Sequence, residues 1–337
     1  MDGPLSLFPP SSLCADCPFL EVCGAERTSR ACLEEQGPDD PGGIHALHPR
    51  SPGLRARVSD VGGFAFDDIR ARAVTLPRFP AYIPQLRLDR GRLGDLNAEM
   101  YAVRPGAVLR RGRIIPARDV RRLLGLRPDQ RLILLLFDKD KILERLFDPA
   151  VVLSIAEAGY DAVVSPSYSA WSPRPRTETM FNAKRSLVYL AALQAAGVHG
   201  VPRVVWEVEQ DVRRYASWVE ANRCIEIVAL DLQTYRVNRD FAHQLDGLAR
   251  FDSLTGARLS YVVNGPTTAG RIRALFDVLS GQRLHLTNAT AHLGLRACRG
   301  EPGLGRVKDR TVRFALQASM AEALIAAAAT REKREAA

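Results

Sequence analysis

Short apolar runs recur through the middle of the chain. Each is closed by a polar residue and followed by a longer stretch with helical spacing. Arg131-Leu-Ile-Leu-Leu-Leu-Phe137 stops at Asp138, Tyr160–Val164 stops at Ser165, and Arg203–Val205 stops at Trp206-Glu207. Ile225–Leu230 stops at Asp231, Leu259–Val263 at Asn264, and Arg283–Leu286 at Thr287-Asn288. Tyr82–Leu86 and the stretch Ala98–Val108 are read as two earlier strands. Runs without polar alternation are what a strand buried on both faces requires. Between them lie helical segments at Pro149–Gly159, Thr179–Gly197, Gln210–Asn222, Phe241–Phe251 and Thr268–Leu279. The first of these opens on proline and closes on glycine, the usual order of helix start and stop signals. Eight strand–helix alternations predict a parallel sheet and suit a closed (β/α)8 TIM-like barrel over residues 59–305. An open doubly wound sheet is the alternative, disfavoured because no Gly-rich dinucleotide fingerprint is present.

The flanks break this pattern. Residues 1–58 are rich in Pro, Gly and Ser and read as a cysteine-bearing arm with a linker. Residues 306–337 read as an alanine-rich C-terminal helix and charged tail. The arm holds Cys14, Cys17, Cys23 and Cys32, spaced C-x2-C-x5-C-x8-C. Elsewhere only Cys224 and Cys298 occur. No secretory signal is evident at the start, so a cytoplasmic chain is expected, in which disulfides are disfavoured. Four clustered thiolates then point to an inorganic centre, a [4Fe–4S] cluster or a zinc ion. No apolar run is long enough to span a membrane.

At 337 residues the chain can bury one large core or two modest ones. The formal charge is +9, with 47 basic residues against 38 acidic. Between Leu86 and Arg131 arginines greatly outnumber carboxylates, which suits a phosphate-binding face and a nucleic-acid partner, DNA or RNA. The competing account is a solvated surface of arginine-rich helices.

In parallel barrels the working residues stand at the carboxyl ends of strands. Reading those exits gives Asp138 and Asp140, Ser165 and Ser167, Trp206 and Glu207, Asp231 and Gln233, Asn264, then Asn288 and His292. Asp138, Asp140, Glu207 and Asp231 are the candidate catalytic acids. Two carboxylates two residues apart, Asp138 and Asp140, could also hold Mg²⁺. Asn264, Gly265, Thr268 and Arg271 open a helix and form a candidate phosphate site. Trp171 and Arg185, in a loop rich in aromatics and arginines, suit base stacking with phosphate neutralisation. Patterns for serine hydrolases, zincins and P-loop NTPases are absent.

Three resemblances add expectations. Cys14-Ala-Asp-Cys17-Pro18-Phe-Leu-Glu-Val-Cys23 resembles the C-x-x-C-P-x-x-x-x-C segment of WhiB-type regulators and endonuclease III-type DNA glycosylases, which implies an iron–sulfur cluster. The stretches Leu136–Arg145, Asp161–Ser167, Val201–Trp206 and Asp231–Thr234 resemble a family of phage- and plasmid-borne proteins without an assigned activity. That resemblance covers about residues 130–265 and implies a mobile-element context. A cysteine-bearing barrel near nucleic acid is also similar to the tRNA-guanine transglycosylases, although there the metal cysteines follow the barrel. The leading expectation is a nucleic-acid- or nucleotide-directed barrel enzyme cleaving or exchanging a nucleoside or phosphoester bond. The alternatives are a non-catalytic DNA- or RNA-binding protein with a structural or redox-sensing cluster, and a small-molecule (β/α)8 enzyme.

Overall fold

The computed structural model describes residue 23, residues 57–88, 98–170, 176–266, 268–279 and 283–289, and positions 322, 323, 326 and 330. Cys14, Cys17, Cys32, Trp171 and His292, and most of the C-terminal segment, lie outside the described residues.

Among the described residues eight strands run parallel. They are β1 (Tyr82–Pro84), β2 (Met100–Val103), β5 (Arg131–Leu135), β6 (Ala162–Val164), β7 (Gly200–Val201), β8 (Ile227–Asp231), β9 (Ser260–Asn264) and β10 (Leu284–Asn288). A two-residue-per-strand antiparallel hairpin, β3 (Leu109–Arg110) with β4 (Arg113–Ile114), follows β2. The parallel strands form two four-stranded sheets, ordered β2-β5-β6-β7 and β8-β9-β10-β1. Single parallel bridges, Gln85 to Ala102 and Arg203 to Ala229, join the sheets at both seams. The strands therefore follow one another in chain order around a ring, as the alternation predicts. The wall is not a continuous ladder, however. Each seam falls directly after a proline, Pro84 or Pro202, which lacks the N–H that a ladder needs.

The helices between the strands are α1 (Pro105–Val108), α2 (Ala117–Leu124), α3 (Asp140–Leu143), α4 (Pro149–Ala158), α5 (Arg176–Ala195), α6 (Glu209–Ala221), α7 (Asn238–Leu254) and α8 (Ala269–Phe276). Local chemistry explains their ends. The Asp148 carboxylate accepts from the Ala150 N–H at 2.8 Å, Pro149 occupies the first turn, and Gly159 closes α4 in the left-handed region at φ 69°.

Strand alternation sorts the core into two layers. Inside the ring, Ile83, Met100, Ala102, Ile133, Leu135, Ala162, Val164, Val201, Ala229 and Val262 form one buried cluster. Their neighbours along each strand, among them Leu132, Leu134, Val163, Val228, Leu230, Tyr261 and Val263, join the helices in a larger outer cluster.

Three expectations change. The expected strand at Arg203–Val205 pairs as a ladder only at Gly200–Val201, with Arg203 left to the seam bridge. The expected strand at Ala98–Val108 ends at Val103, because Pro105 starts a helical turn. The helix α2 and the hairpin, which the sequence reading passed over, fill the connection from β2 to β5.

The segment before β1 is fastened to the outside of the ring. Val58, Val61 and Phe64 pack with Met180 and Phe181 of α5. The fully buried Lys184 reaches the Ala65 carbonyl and the Asp68 carboxylate, and Trp218 donates to the Ile69 carbonyl at 2.9 Å. Among the described residues no helix is long and apolar enough to cross a membrane.

Candidate active site at the carboxyl end of the strands

Continuing the inward alternation by one layer places a set of polar residues at the carboxyl mouth. Ile83 leads to Gln85, Ala102 to Arg104, Val201 to Arg203, Ala229 to Asp231, and Val262 to Asn264. Thr287 pairs in register with Asn264 and completes the polar part. Phe137 supplies an apolar wall.

The polar side chains other than Arg203 meet. Asn264, fully buried, donates to Asp231 Oδ1 at 2.7 Å, and its own carbonyl oxygen accepts from Gln85 Nε2. Gln85 Nε2 also reaches Thr287 Oγ1 at 3.2 Å. Arg104 donates through Nε to Gln85 Oε1 at 2.8 Å and through a terminal nitrogen to Gln233 Oε1. Asp231 accepts further from Ser167 Oγ at 3.2 Å and from the Gln233 N–H at 3.2 Å. Exits of β1, β2, β6, β8, β9 and β10 are thus linked by one chain of hydrogen bonds.

Gly265 makes this closeness possible. Its φ is +115°, and a Cβ there would stand 2.5 Å from both the backbone N and the Cα of Gln233. Only glycine lets the β8 and β9 exits approach so far.

The Arg104 guanidinium is half-buried, and its direct partners are two neutral amide oxygens. No carboxylate pairs with it among the described residues. Burial lowers its pKa, and the charges of Asp231 and then Asp138 work against that.

Asp138 plays a supporting part. Its Oδ2 accepts from the Gly106 N–H at 2.7 Å and its Oδ1 from the Lys139 N–H at 2.9 Å. The first bond ties down the turn that follows Arg104. Asp140 does not join it: both of its oxygens serve Ser169, at 2.6 Å from the hydroxyl and 3.3 Å from the N–H. Among the described residues no three His, Cys, Asp or Glu side chains gather closely enough to hold a metal ion.

Other expected site residues stand elsewhere. Ser165 has outward parity and binds Ser186 of α5 at 3.1 Å and the Arg203 N–H at 2.8 Å, knitting helix to strand. Trp206 is buried in the outer layer, stacked near Phe251 and pressed onto Gly247. Arg185 pairs with Glu144 and lies 3.5 Å above the Tyr168 ring. Asn288 bridges Tyr82 and the Pro266 carbonyl. Arg271 donates to the Tyr235 and Arg236 carbonyls and covers Phe241 at 4.6 Å. It lines a surface cleft of about 650 Å³ together with Gly265, Thr268 and Arg236. Thr268 is exposed and makes no side-chain cap on α8.

Glu207 belongs to a separate buried cluster. Arg176 lies 3.6 Å from its carboxylate and binds Asp211 more closely. Asp211 accepts in turn from the Glu207 N–H at 3.0 Å, and His243 contacts the Glu207 carbonyl at 3.0 Å. Burial pushes the Glu207 carboxyl up to about 7, opposed by Arg176 and assisted by Asp211. Arg176 also donates to the carbonyl of Cys23 at 3.2 Å, placing that residue of the arm beside the cluster. Cys23 also packs against the cluster formed by Val58, Val61, Phe64, Met180 and Phe181.

Described arginines of the rich window stand at both ends of the ring. Arg104 is at the carboxyl mouth, whereas Arg121 and Arg131 pair with Asp161 at the amino end.

Gln85, Arg104 and Arg203 were not among the expected site residues. The first polar residue after an apolar run need not face the interior. The stronger signal is parity: the second residue beyond the last inward apolar side chain also points inward.

No protein-family model matches the chain, and no curated protein matches it. Among solved structures it is similar to a 4-hydroxy-2-oxoglutarate aldolase/2-deydro-3-deoxyphosphogluconate aldolase from TTHB1, with 13% identity, 73% of this chain and 94% of that one covered, and a TM-score of 0.40. A native KDPGal structure gives 13% identity, 78% and 98% coverage, and 0.41. A mandelate oxidase variant gives 13% identity, 68% coverage of each chain, and 0.39. At these values the likenesses carry no substrate, cofactor or residue role to this chain, whose observed architecture is an α/β ring of parallel strands flanked by helices.

Proposed function

We propose that the chain is a (β/α)8-type enzyme acting on a small anionic molecule bound at the carboxyl mouth. In this reading the two sheets act as one barrel pinned at its proline seams. Arg104 takes the anionic group, the amides of Gln85, Gln233 and Asn264 orient neighbouring hydroxyl or carbonyl groups, and Asp231 exchanges a proton with the substrate. The observation that carries it is the partly buried Arg104 guanidinium held by neutral oxygens alone. A desolvated cation without a paired anion is costly, and a ligand carboxylate or phosphate would complete it. The two-ended distribution of the arginine window favours a small ligand over a polymer that tracks one basic face.

The four N-terminal cysteines are read as a tetrathiolate centre, [4Fe–4S] or zinc. Its support is their spacing together with Arg176 beside Cys23, because either centre with four thiolates is a dianion. Iron, sulfide and zinc analysis of anaerobically purified protein tests that part.

The mouth is tested by calorimetric titration with a panel of small carboxylates and phosphates. A binder that loses roughly tenfold or more in affinity with Arg104→Ala supports the reading. Asp231→Asn should retain that binder while losing turnover. Binding indifferent to Arg104→Ala would reject the assignment, and salt-sensitive DNA or RNA binding in its place would favour the nucleic-acid alternative.

A further inference from the structure

Arg203 has the same inward parity as Arg104 and is 4% exposed. Its backbone forms the single bridge that joins β7 to β8 at Ala229, and its N–H donates to Ser165 Oγ at 2.8 Å. The backbone is therefore held firmly while the charged end is little used. One terminal nitrogen donates to the Tyr168 carbonyl at 3.3 Å. The buried Nε has no hydrogen-bond partner, and no carboxylate pairs with the guanidinium, among the described residues. A buried guanidinium with an idle donor is expensive to keep unless something arrives to satisfy it. Around the ring, Arg203 on β7 and Arg104 on β2 are separated by β5 and β6 on one side. On the other side β8, β9, β10 and β1 stand between them, with Asp231 on β8, the strand next to Arg203.

Building on the mouth as a small-anion site, we propose that Arg203 is a second anion-recognition residue, so that the ligand carries two anionic groups, one for each guanidinium. Asp231, between the amide network and Arg203, then faces the carbon segment joining those groups. A dicarboxylate or a phosphorylated carboxylate has this form. Substrates with a single charge would leave one of the two guanidiniums unsatisfied, which makes Arg203 the residue that selects for the second charge.

Matched probes test this by calorimetry: succinate against butyrate, and phosphoglycolate against glycolate. Wild-type protein should bind a dianionic member roughly tenfold or more tighter than its monoanionic partner. Arg203→Met should abolish that preference while leaving the monoanion affinity within about twofold, and Arg203→Lys should keep part of it. Equal binding of both members by wild-type protein overturns the proposal without any variant, and so does a preference that survives Arg203→Met. Arg104-dependent binding of monoanions with no gain from a second charge would sink the role of Arg203 alone. Absence of any Arg104-dependent binding would sink the small-anion reading with it.

Discussion

Glu207→Gln isolates what it costs to bury an ionisable carboxyl among Arg176, Glu178, Thr179 and Asp211. Burial raises Glu207 from 4.5 to about 7. A tenfold difference in proton affinity between folded and unfolded chains is worth about 1.4 kcal/mol, so full ionisation of Glu207 lowers stability by roughly 3 kcal/mol. The sign depends on which state keeps the proton. Below about pH 4.5 the carboxyl is protonated in both states, and the favourable contribution is fully present. As pH rises from there to about 7, the unfolded chain releases the proton first, and stability falls. Above about pH 7 both states are ionised and the loss is complete. Glutamine has no proton to release, so the E207Q chain should show a flatter dependence. Urea unfolding followed by circular dichroism between about pH 5 and pH 8 measures the difference. Wild-type protein should lose roughly 2–3 kcal/mol relative to E207Q over that range. Parallel pH profiles for the two proteins would refute the burial argument, and a wild-type profile that rises with pH would reverse its sign.

Two substitutions of glycine test close approaches on which the fold depends. In Gly247→Ala the added Cβ would stand 2.1 Å from Trp206 Nε1 and 2.6 Å from Cδ1, with α7 and the indole both packed in place. Helix propensity favours alanine by about 1 kcal/mol, but overpacking should outweigh it and leave a net loss of roughly 1–2 kcal/mol; an unchanged or higher melting temperature would show that Trp206 has room to move. Gly265→Ala combines a left-handed φ with contact on rigid Gln233 backbone, so it should cost roughly 2–4 kcal/mol. It should also weaken anion binding through displacement of Gln233, and wild-type affinity in this variant, measured by the same calorimetry, would contradict the role given to that turn.

Much of the architecture was legible in the chain itself. Continuous apolar runs such as Arg131–Phe137, ended by a charged residue, mark strands buried on both faces, because no other short element needs apolar side chains on every side. Capping residues set α4 almost to the residue: Asp148, Pro149 and Gly159 each have a local chemical reason to stand where they do. Asp231 and Asn264 were recognisable as mouth residues for the same local reason, each ending an apolar strand.

What tertiary structure alone decided is which polar residues meet. Asp138, Ser165, Trp206 and Asn288 follow strands just as Asp231 does, yet parity turns them to turns, helices and neighbouring loops. Gln85 and Arg104 are far from Gln233 in sequence, and only the ring of strands brings their side chains together. The weakened acidity of Glu207 likewise depends on its exclusion from water, on Arg176 opposing the shift and on Asp211 assisting it, groups that come from two different helices. Local sequence specifies backbone conformation and sidedness through short-range sterics and hydrophobicity. Charge interactions depend on distance and dielectric, and those are set only once the two sheets have packed around a common interior.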